Sequence, residues 1–162
     1  MARVPVGIIG MGAMGRLHAQ VLATSHLGEL VAVADTDASA LRTAADEFSA
    51  QGYRDYRELL QHPGLRAVFI CTPEALHSEP TVAALEAGKH VFVEKPLASS
   101  LDDAHRILAA ARRSKAIVTV GHLLRFEPRY ALAHSRISQG QLGQVVSIYT
   151  RRNNPRRSAL IA

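Results

Sequence analysis

A glycine-rich turn near the N-terminus, Gly10-Met11-Gly12-Ala13-Met14-Gly15, constrains this chain more than any other feature. An apolar run precedes the turn and apolar residues at helical spacing follow it, so the pattern predicts a strand, a tight turn and a helix. In such a turn the first glycine permits the exit from the strand, the second lets backbone approach a pyrophosphate, and the third lets the helix pack on the sheet. The first amides of the helix then favour phosphate charge. Glycine-rich turns also occur in purely structural loops, so the pattern needs support from elsewhere in the chain.

That support comes from a second apolar run, residues 30–34, which ends in Asp35, 20 residues after Gly15. A carboxylate at this place can accept hydrogen bonds from both ribose hydroxyls of an adenosine. The sequence therefore predicts a dinucleotide site. Its expected binding residues in this part of the chain are Gly10, Met11, Gly12, Ala13, Met14, Gly15, Asp35 and Thr36.

Apolar runs of strand length alternate with helical patterns through the first three quarters of the chain. Further runs lie at 67–71, 90–93 and 117–120, and short loops join the elements. This alternation predicts an α/β fold, a Rossmann-type doubly wound parallel sheet. We assign the dinucleotide-binding domain to residues 1–122.

The remaining residues, 123–162, have a different character. A connecting helix is predicted to begin at Pro128, and residues 144–150 are rich in β-forming side chains. We interpret this region as a connecting helix, the first strand of an incomplete second α+β domain, and a basic tail. A strand without its sheet leaves backbone groups unpaired, so 144–150 is expected either to pair with a second copy, giving a homo-oligomer, or to be poorly ordered.

Composition excludes several classes of protein. The 162 residues are 48% hydrophobic and 20% charged, as in a globular chain. No apolar run approaches the roughly 20 residues of a membrane-spanning helix, and no signal-peptide pattern precedes the first strand, so we expect no membrane partner and a cytoplasmic location. The single cysteine, Cys71, permits no internal disulfide, and at the end of an apolar strand it is also explained as a small buried residue.

The net charge of +5 raises the question of nucleic acid. Four arginines within residues 151–162 account for all but one of these charges, so the body of the chain is nearly neutral. The aromatic side chains that single-stranded nucleic acid stacks on are not interleaved with the basic ones. The tail is therefore interpreted as a solvated segment rather than a nucleic-acid site.

Polar residues that could act on a ligand follow the predicted strands, where ligands of open parallel sheets bind. Lys95, between Glu94 and Pro96, could stabilise negative charge or donate a proton to a substrate oxygen if it is partly desolvated. An ordinary exposed pair with Glu94 is the alternative. His77 could hydrogen-bond a ribose or carboxamide or could face solvent, and His122 could line a ligand pocket or form part of a turn. No histidine spacing supports a metal site.

Several of these motifs together resemble the Gfo/Idh/MocA (glucose-fructose oxidoreductase / inositol dehydrogenase) family. The resemblance covers residues 4 to about 150. It rests on the glycine turn with His18-Ala19, on Cys71-Thr72-Pro73 with His77, on Gly88-Lys89-His90-Val91 followed by Glu94-Lys95-Pro96, and on Gly121-His122 with Arg125-Phe126 and Pro128.

The resemblance implies an NAD(P)-dependent dehydrogenase that acts on a secondary alcohol of a sugar or cyclitol. It implies that Lys95 is the catalytic lysine beside the nicotinamide and the substrate hydroxyl. Because Asp35 would repel a 2′-phosphate, we predict NAD as the cofactor. Residues implied to contact it also include Cys71, Thr72, Pro73, His77, Glu94, Pro96, His122 and Arg125.

Family members continue with a second domain that covers the nicotinamide and supplies a general base, of which this sequence shows only an apparent first strand. Three functions therefore stay open. The chain could be the cofactor-binding portion of a dehydrogenase, with NAD and a small polyol or sugar as partners. It could instead be a catalytically inactive NAD-binding sensor or regulatory module that acts with a partner chain. A nucleic-acid binder that uses its basic tail is the third.

Overall fold

The structure, a computed structural model, describes residues 2–151. The chain divides into two compact units, Met1–His122 and Leu123–Ala162. Six strands lie in the first unit: β1 (Val4–Ile9), β2 (Gly28–Ala34), β3 (Gln51–Tyr53), β4 (Ala67–Ile70), β5 (His90–Val93) and β6 (Val118–Val120).

All six strands are parallel and form one sheet in the order β3-β2-β1-β4-β5-β6. The chain runs outward from β1 to β3 on one side and then returns to pair β4 with the other side of β1. A crevice at the carboxyl ends of the strands is expected where the order reverses. The predicted α/β Rossmann-type sheet is confirmed.

Helices connect the strands and cover both faces of the sheet. The first unit contains α1 (Ala13–Thr24), α2 (Ala38–Phe48), α3 (Tyr56–Leu59), α4 (Ser78–Glu86) and α5 (Leu101–Arg113), with a short 3₁₀ turn at Glu74–Leu76.

The buried hydrophobic residues form two clusters, and the alternation of side chains along β1 explains why there are two. Ile8 is buried among residues of α1 and α2, such as Ala19 and Leu41. Its neighbour Ile9 points to the other face and belongs to the other cluster, which includes Leu59 of α3 and Ala110 of α5. Successive side chains of a strand face opposite sides, so a central strand that is apolar at both positions must be covered on both faces.

The second unit is described by itself. It contains a 3₁₀ turn at Leu123–Phe126 and helix α6 (Pro128–Ser138), which Glu127 caps by accepting hydrogen bonds from the Arg129 and Tyr130 amides. In the described part of the chain, no helix is both long and apolar enough to cross a bilayer.

Residues 144–150 form no strand in this structure, which corrects the predicted first strand of a second sheet. Val146 and Tyr149 are 92% and 86% exposed. Apolar, β-branched side chains do not suffice for a strand, because its backbone groups need a neighbouring strand. Association of copies through this segment stays a prediction, and Arg152, Arg156 and Arg157 of the basic tail lie outside the described residues.

Candidate cofactor-binding site

The glycine turn brings the end of β1 into direct contact with the end of β4. Gly10 has φ of +94°, a conformation that side chains rarely adopt, and a Cβ there would lie 2.7 Å from the backbone of Cys71. A Cβ on Gly15 would overlap the Gly10 carbonyl oxygen. The first and third glycines are therefore required by close packing of the turn itself.

Gly12 differs, because a Cβ built there would meet no atom within 4 Å. Gly12 is also the N-cap of α1, and no side chain caps the first amides of this helix. Uncapped amides at the start of a helix bind anions well. The open space and the amides together fit the diphosphate of a dinucleotide.

Asp35 connects the end of β2 to the same turn. One carboxylate oxygen accepts a hydrogen bond from the Met11 amide at 2.7 Å, and the other accepts one from the Asp37 amide at 2.8 Å. Each oxygen of a carboxylate has two lone pairs, so both can still accept ribose hydroxyls. Thr36 follows and is exposed.

A cavity of about 590 Å³ lies at this edge of the sheet, within the first unit. Gly10, Asp35 and Thr36 line it on one side, and Thr72 and Pro73 line it on the other. Its size is typical of small-molecule sites. Thr72 Oγ1 is buried and makes no hydrogen bond, so the wall retains a polar group that a ligand could satisfy.

Glu94, just beyond β5, is buried and hydrogen-bonded on both oxygens. His18 Nε2 of α1 donates to Oε1 at 2.8 Å, and the Lys95 amide donates to Oε2 at 3.1 Å. The His18 ring packs edge-on against Phe69 and Phe92. This contact of His18 could not be predicted from the sequence, because no local pattern predicts contact between residues 76 positions apart.

Lys95 and Pro96 are both exposed in this structure. The side chain of Lys95 therefore lies at the rim of the sheet, beyond the last residue of β5. The partial desolvation expected for this lysine beside a bound cofactor stays a prediction.

His77 is 1% exposed and does not present a ring nitrogen to the cavity. Its Nδ1 lies 2.8 Å from the carbonyl oxygen of Pro96, and its Nε2 lies 2.9 Å from that of Thr72. Both nitrogens face backbone carbonyl oxygens, and the contact of His77 with a ribose or carboxamide stays a prediction. His77 instead ties the loop after β4 to the loop after β5.

Cys71 is buried where β4 approaches the glycine turn. Burial, and secondarily the charge of Glu94, raises the pKa of its thiol to about 12. The thiol stays neutral at physiological pH, so Cys71 contributes its backbone to the turn and no reactive thiolate.

The remaining predicted residues lie farther along the chain. His122 is exposed, and its amide donates to the Val120 carbonyl at 2.7 Å. Arg125 is exposed in the 3₁₀ turn of the second unit, and its contact with the cofactor stays a prediction. Among the described residues, no group of three His, Cys, Asp or Glu side chains could hold a metal ion.

Residues 4–122 match the family model Gfo/Idh/MocA, described as an oxidoreductase family with an NAD-binding Rossmann fold. The inositol 2-dehydrogenase of Salmonella typhimurium is 34% identical over 152 residues, covering 91% of this chain and 45% of the relative. The scyllo-inositol 2-dehydrogenase (NAD(+)) of Bacillus subtilis is 36% identical over 146 residues, covering 89% of this chain and 43% of the relative.

A solved structure shares the fold. Scyllo-inositol dehydrogenase from Lactobacillus casei, with bound NAD(H) and scyllo-inositol, superposes with a TM-score of 0.80 at 30% identity, covering 88% of this chain and 43% of the other. The chain thus spans less than half the length of these relatives. Together with the glycine turn and Asp35, these findings identify residues 4–122 as an NAD-binding Rossmann domain.

Proposed function

Because this chain belongs to the Gfo/Idh/MocA oxidoreductase family, we propose that it is the cofactor-binding portion of a dehydrogenase that oxidises a secondary alcohol of a cyclitol or sugar. The observation that carries the proposal is the cavity at the carboxyl edge of the sheet, which Gly10 and Asp35 line together. Bound NAD would supply the hydride acceptor for the carbon that bears the hydroxyl.

Different groups of the first unit bind different parts of NAD in this proposal. The amides at the start of α1 hold the diphosphate, because nothing else caps them and Gly12 leaves the approach open. The carboxylate of Asp35 binds the adenosine ribose. A 2′-phosphate at this place would meet the negative charge of Asp35, which favours NAD over NADP.

Lys95 is proposed to hydrogen-bond the substrate oxygen and to stabilise the negative charge that develops there when the hydroxyl loses its proton to a general base. Its exposed position at the end of β5 leaves the ammonium group free to reach a substrate above the crevice. Its backbone is fixed by the hydrogen bond to Glu94. The inositol dehydrogenases among the relatives support a cyclitol or sugar as the substrate class.

The sensor or regulatory alternative gains no support, since the relatives and solved structures reported above are named as dehydrogenases. No observation on the described residues favours it over the enzyme portion.

Cofactor choice is the most accessible test of this proposal. Isothermal titration of the chain with NAD and with NADP is expected to show tighter binding of NAD. Asp35→Ala removes at least one hydrogen bond to a charged group, worth about 1.5–3 kcal/mol, so NAD affinity should fall by a factor of at least roughly 10 to 100. The preference over NADP should shrink at the same time.

Asp46→Ala is the matched control, because Asp46 is an exposed acid of the neighbouring helix α2. It should leave both affinities unchanged. Equal affinity of the parent chain for the two cofactors, or no effect of Asp35→Ala, would contradict the proposed ribose contact. Formation of NADH with a panel of cyclitols and sugars tests the substrate class.

A further inference from the structure

We propose that His18 is a positioning residue for the nicotinamide half of the site and acts through Glu94. The inference rests on the proposed function, because it requires NAD to lie along the crevice. His18 lies in the second turn of α1, whose first amides face the diphosphate position. Glu94, whose side chain contacts His18, and Lys95 follow directly after the end of β5.

The surroundings of His18 fix the direction of its ring. Phe69 of β4 and Phe92 of β5 pack against it edge-on, at centroid distances of 5.4 and 5.1 Å. Its side chain is 19% exposed and that of Glu94 is 11% exposed. Because a carboxylate only accepts, His18 Nε2 is the donor in the 2.8 Å hydrogen bond to Glu94 Oε1.

Glu94 accepts two hydrogen bonds, and little space separates its carboxylate from a glycine. Besides the bond from His18, its Oε2 accepts the Lys95 amide at 3.1 Å. A Cβ on Gly121, just beyond β6, would lie 3.4 Å from the same oxygen, so the carboxylate fits closely under that glycine. The hydrogen bond from His18 therefore fixes the orientation of Glu94, and through it the backbone that carries Lys95.

Strand order determines which half of NAD the pair of His18 and Glu94 affects. Asp35 follows β2, and the glycine turn follows the neighbouring β1. With the adenosine over β2 and the diphosphate over β1, the dinucleotide continues toward β4 and β5, where Glu94 lies. Loss of the hydrogen bond should thus weaken contacts to the nicotinamide half and leave those to the adenosine half intact.

His18→Phe and His18→Gln separate packing from hydrogen bonding. Phenylalanine retains an aromatic ring against Phe69 and Phe92 but has no donor, whereas glutamine retains a donor. ADP-ribose is the matched ligand, because it has the adenosine, the diphosphate and a second ribose but no nicotinamide. Each variant is titrated with NAD and with ADP-ribose, and its thermal unfolding is recorded without ligand.

We expect His18→Phe to bind NAD about tenfold more weakly, as for the loss of one hydrogen bond to a charged group. Its affinity for ADP-ribose should stay within about twofold of the parent chain, and His18→Gln should recover most of the NAD affinity. Should His18→Phe fail to fold, the ratio of NAD to ADP-ribose affinity in Glu94→Gln is compared instead, and it should fall in the same way.

An equal loss for both ligands assigns His18 a general structural role and overturns the inference. Unchanged NAD binding in His18→Phe overturns it too, as does a His18→Gln variant that behaves like His18→Phe. If the parent chain bound neither ligand, the proposed function itself would fail, so the two failures are distinguishable.

Discussion

Gly12 and Gly15 stand three residues apart in one turn, yet a methyl group added to each has opposite consequences. At Gly12 it points into open space at the proposed diphosphate position, whereas at Gly15 it overlaps the Gly10 carbonyl oxygen. Gly12 has φ of −67°, which alanine adopts readily. One position therefore limits ligand approach, and the other limits packing of the turn.

We predict that Gly12→Ala changes the free energy of unfolding by less than about 0.5 kcal/mol, as at other exposed sites, but weakens NAD binding at least tenfold. Gly15→Ala should lose about 1–3 kcal/mol of stability or more, because overpacking forces backbone to move. Urea unfolding and NAD titration are measured for both variants, and each variant is the control for the other. A destabilised Gly12→Ala variant that binds NAD normally would contradict this assignment.

Cys71 gives a second prediction at this scale. Because burial raises its pKa to about 12, the thiol should resist a disulfide reagent at pH 8 in the folded domain and react after unfolding in urea. The folded state favours the neutral thiol, so its contribution to stability is lost as pH rises above the ordinary thiol pKa of about 8.5. Rapid labelling of the native chain would contradict the burial of this group.

Helix α5 begins at a clear N-terminal cap. Ser100 caps it by accepting the Asp103 amide at 3.1 Å, and its hydroxyl donates to the Asp103 carboxylate at 2.8 Å. This hydroxyl is the main reason that the pKa of Asp103 lies below its usual value.

Ser100→Ala should destabilise the chain by about 1 kcal/mol, as for the loss of an N-cap. The neighbouring Ser99 is exposed and caps nothing, so Ser99→Ala is the control and should stay near the parent value. Urea unfolding measures both variants. Equal stabilities of the two would contradict the capping role.

The elements that could be predicted from sequence are those set by local signals. The glycine turn, the acid after the second strand and the short apolar runs each depend on residues close together in the chain. Residues 144–150 were predicted incorrectly because a strand depends on a partner, and β-forming side chains carry no information about whether one is present.

Some contacts in the site could not be predicted from the sequence, because they join residues that are far apart in the chain. His18 meets Glu94 across 76 positions, and only the packing of α1 on the sheet brings them together. His77 could be placed near the loop after β4 but not oriented, since its two carbonyl partners come from different loops. The positions of such side chains depend on the assembled sheet.

At the scale of the molecule, the buried core belongs to the first unit. Both clusters of buried residues come from residues 6–110, and no described residue of the second unit is buried. We predict that a chain ending at His122 folds alone and unfolds cooperatively. Its free energy of unfolding should lie within about 1 kcal/mol of the full chain, because no large apolar burial is removed. A shortened chain without a cooperative transition would contradict this.

The amides opening α1 and the carboxylate of Asp35 are proposed to bind NAD together. Titrating the ¹⁵N-labelled chain with NAD and following the backbone amide signals tests this binding site. We predict that the largest shifts occur at residues 11–15 and 35–37. Saturable shifts that are largest at other residues, or no shifts at millimolar NAD, would contradict this prediction.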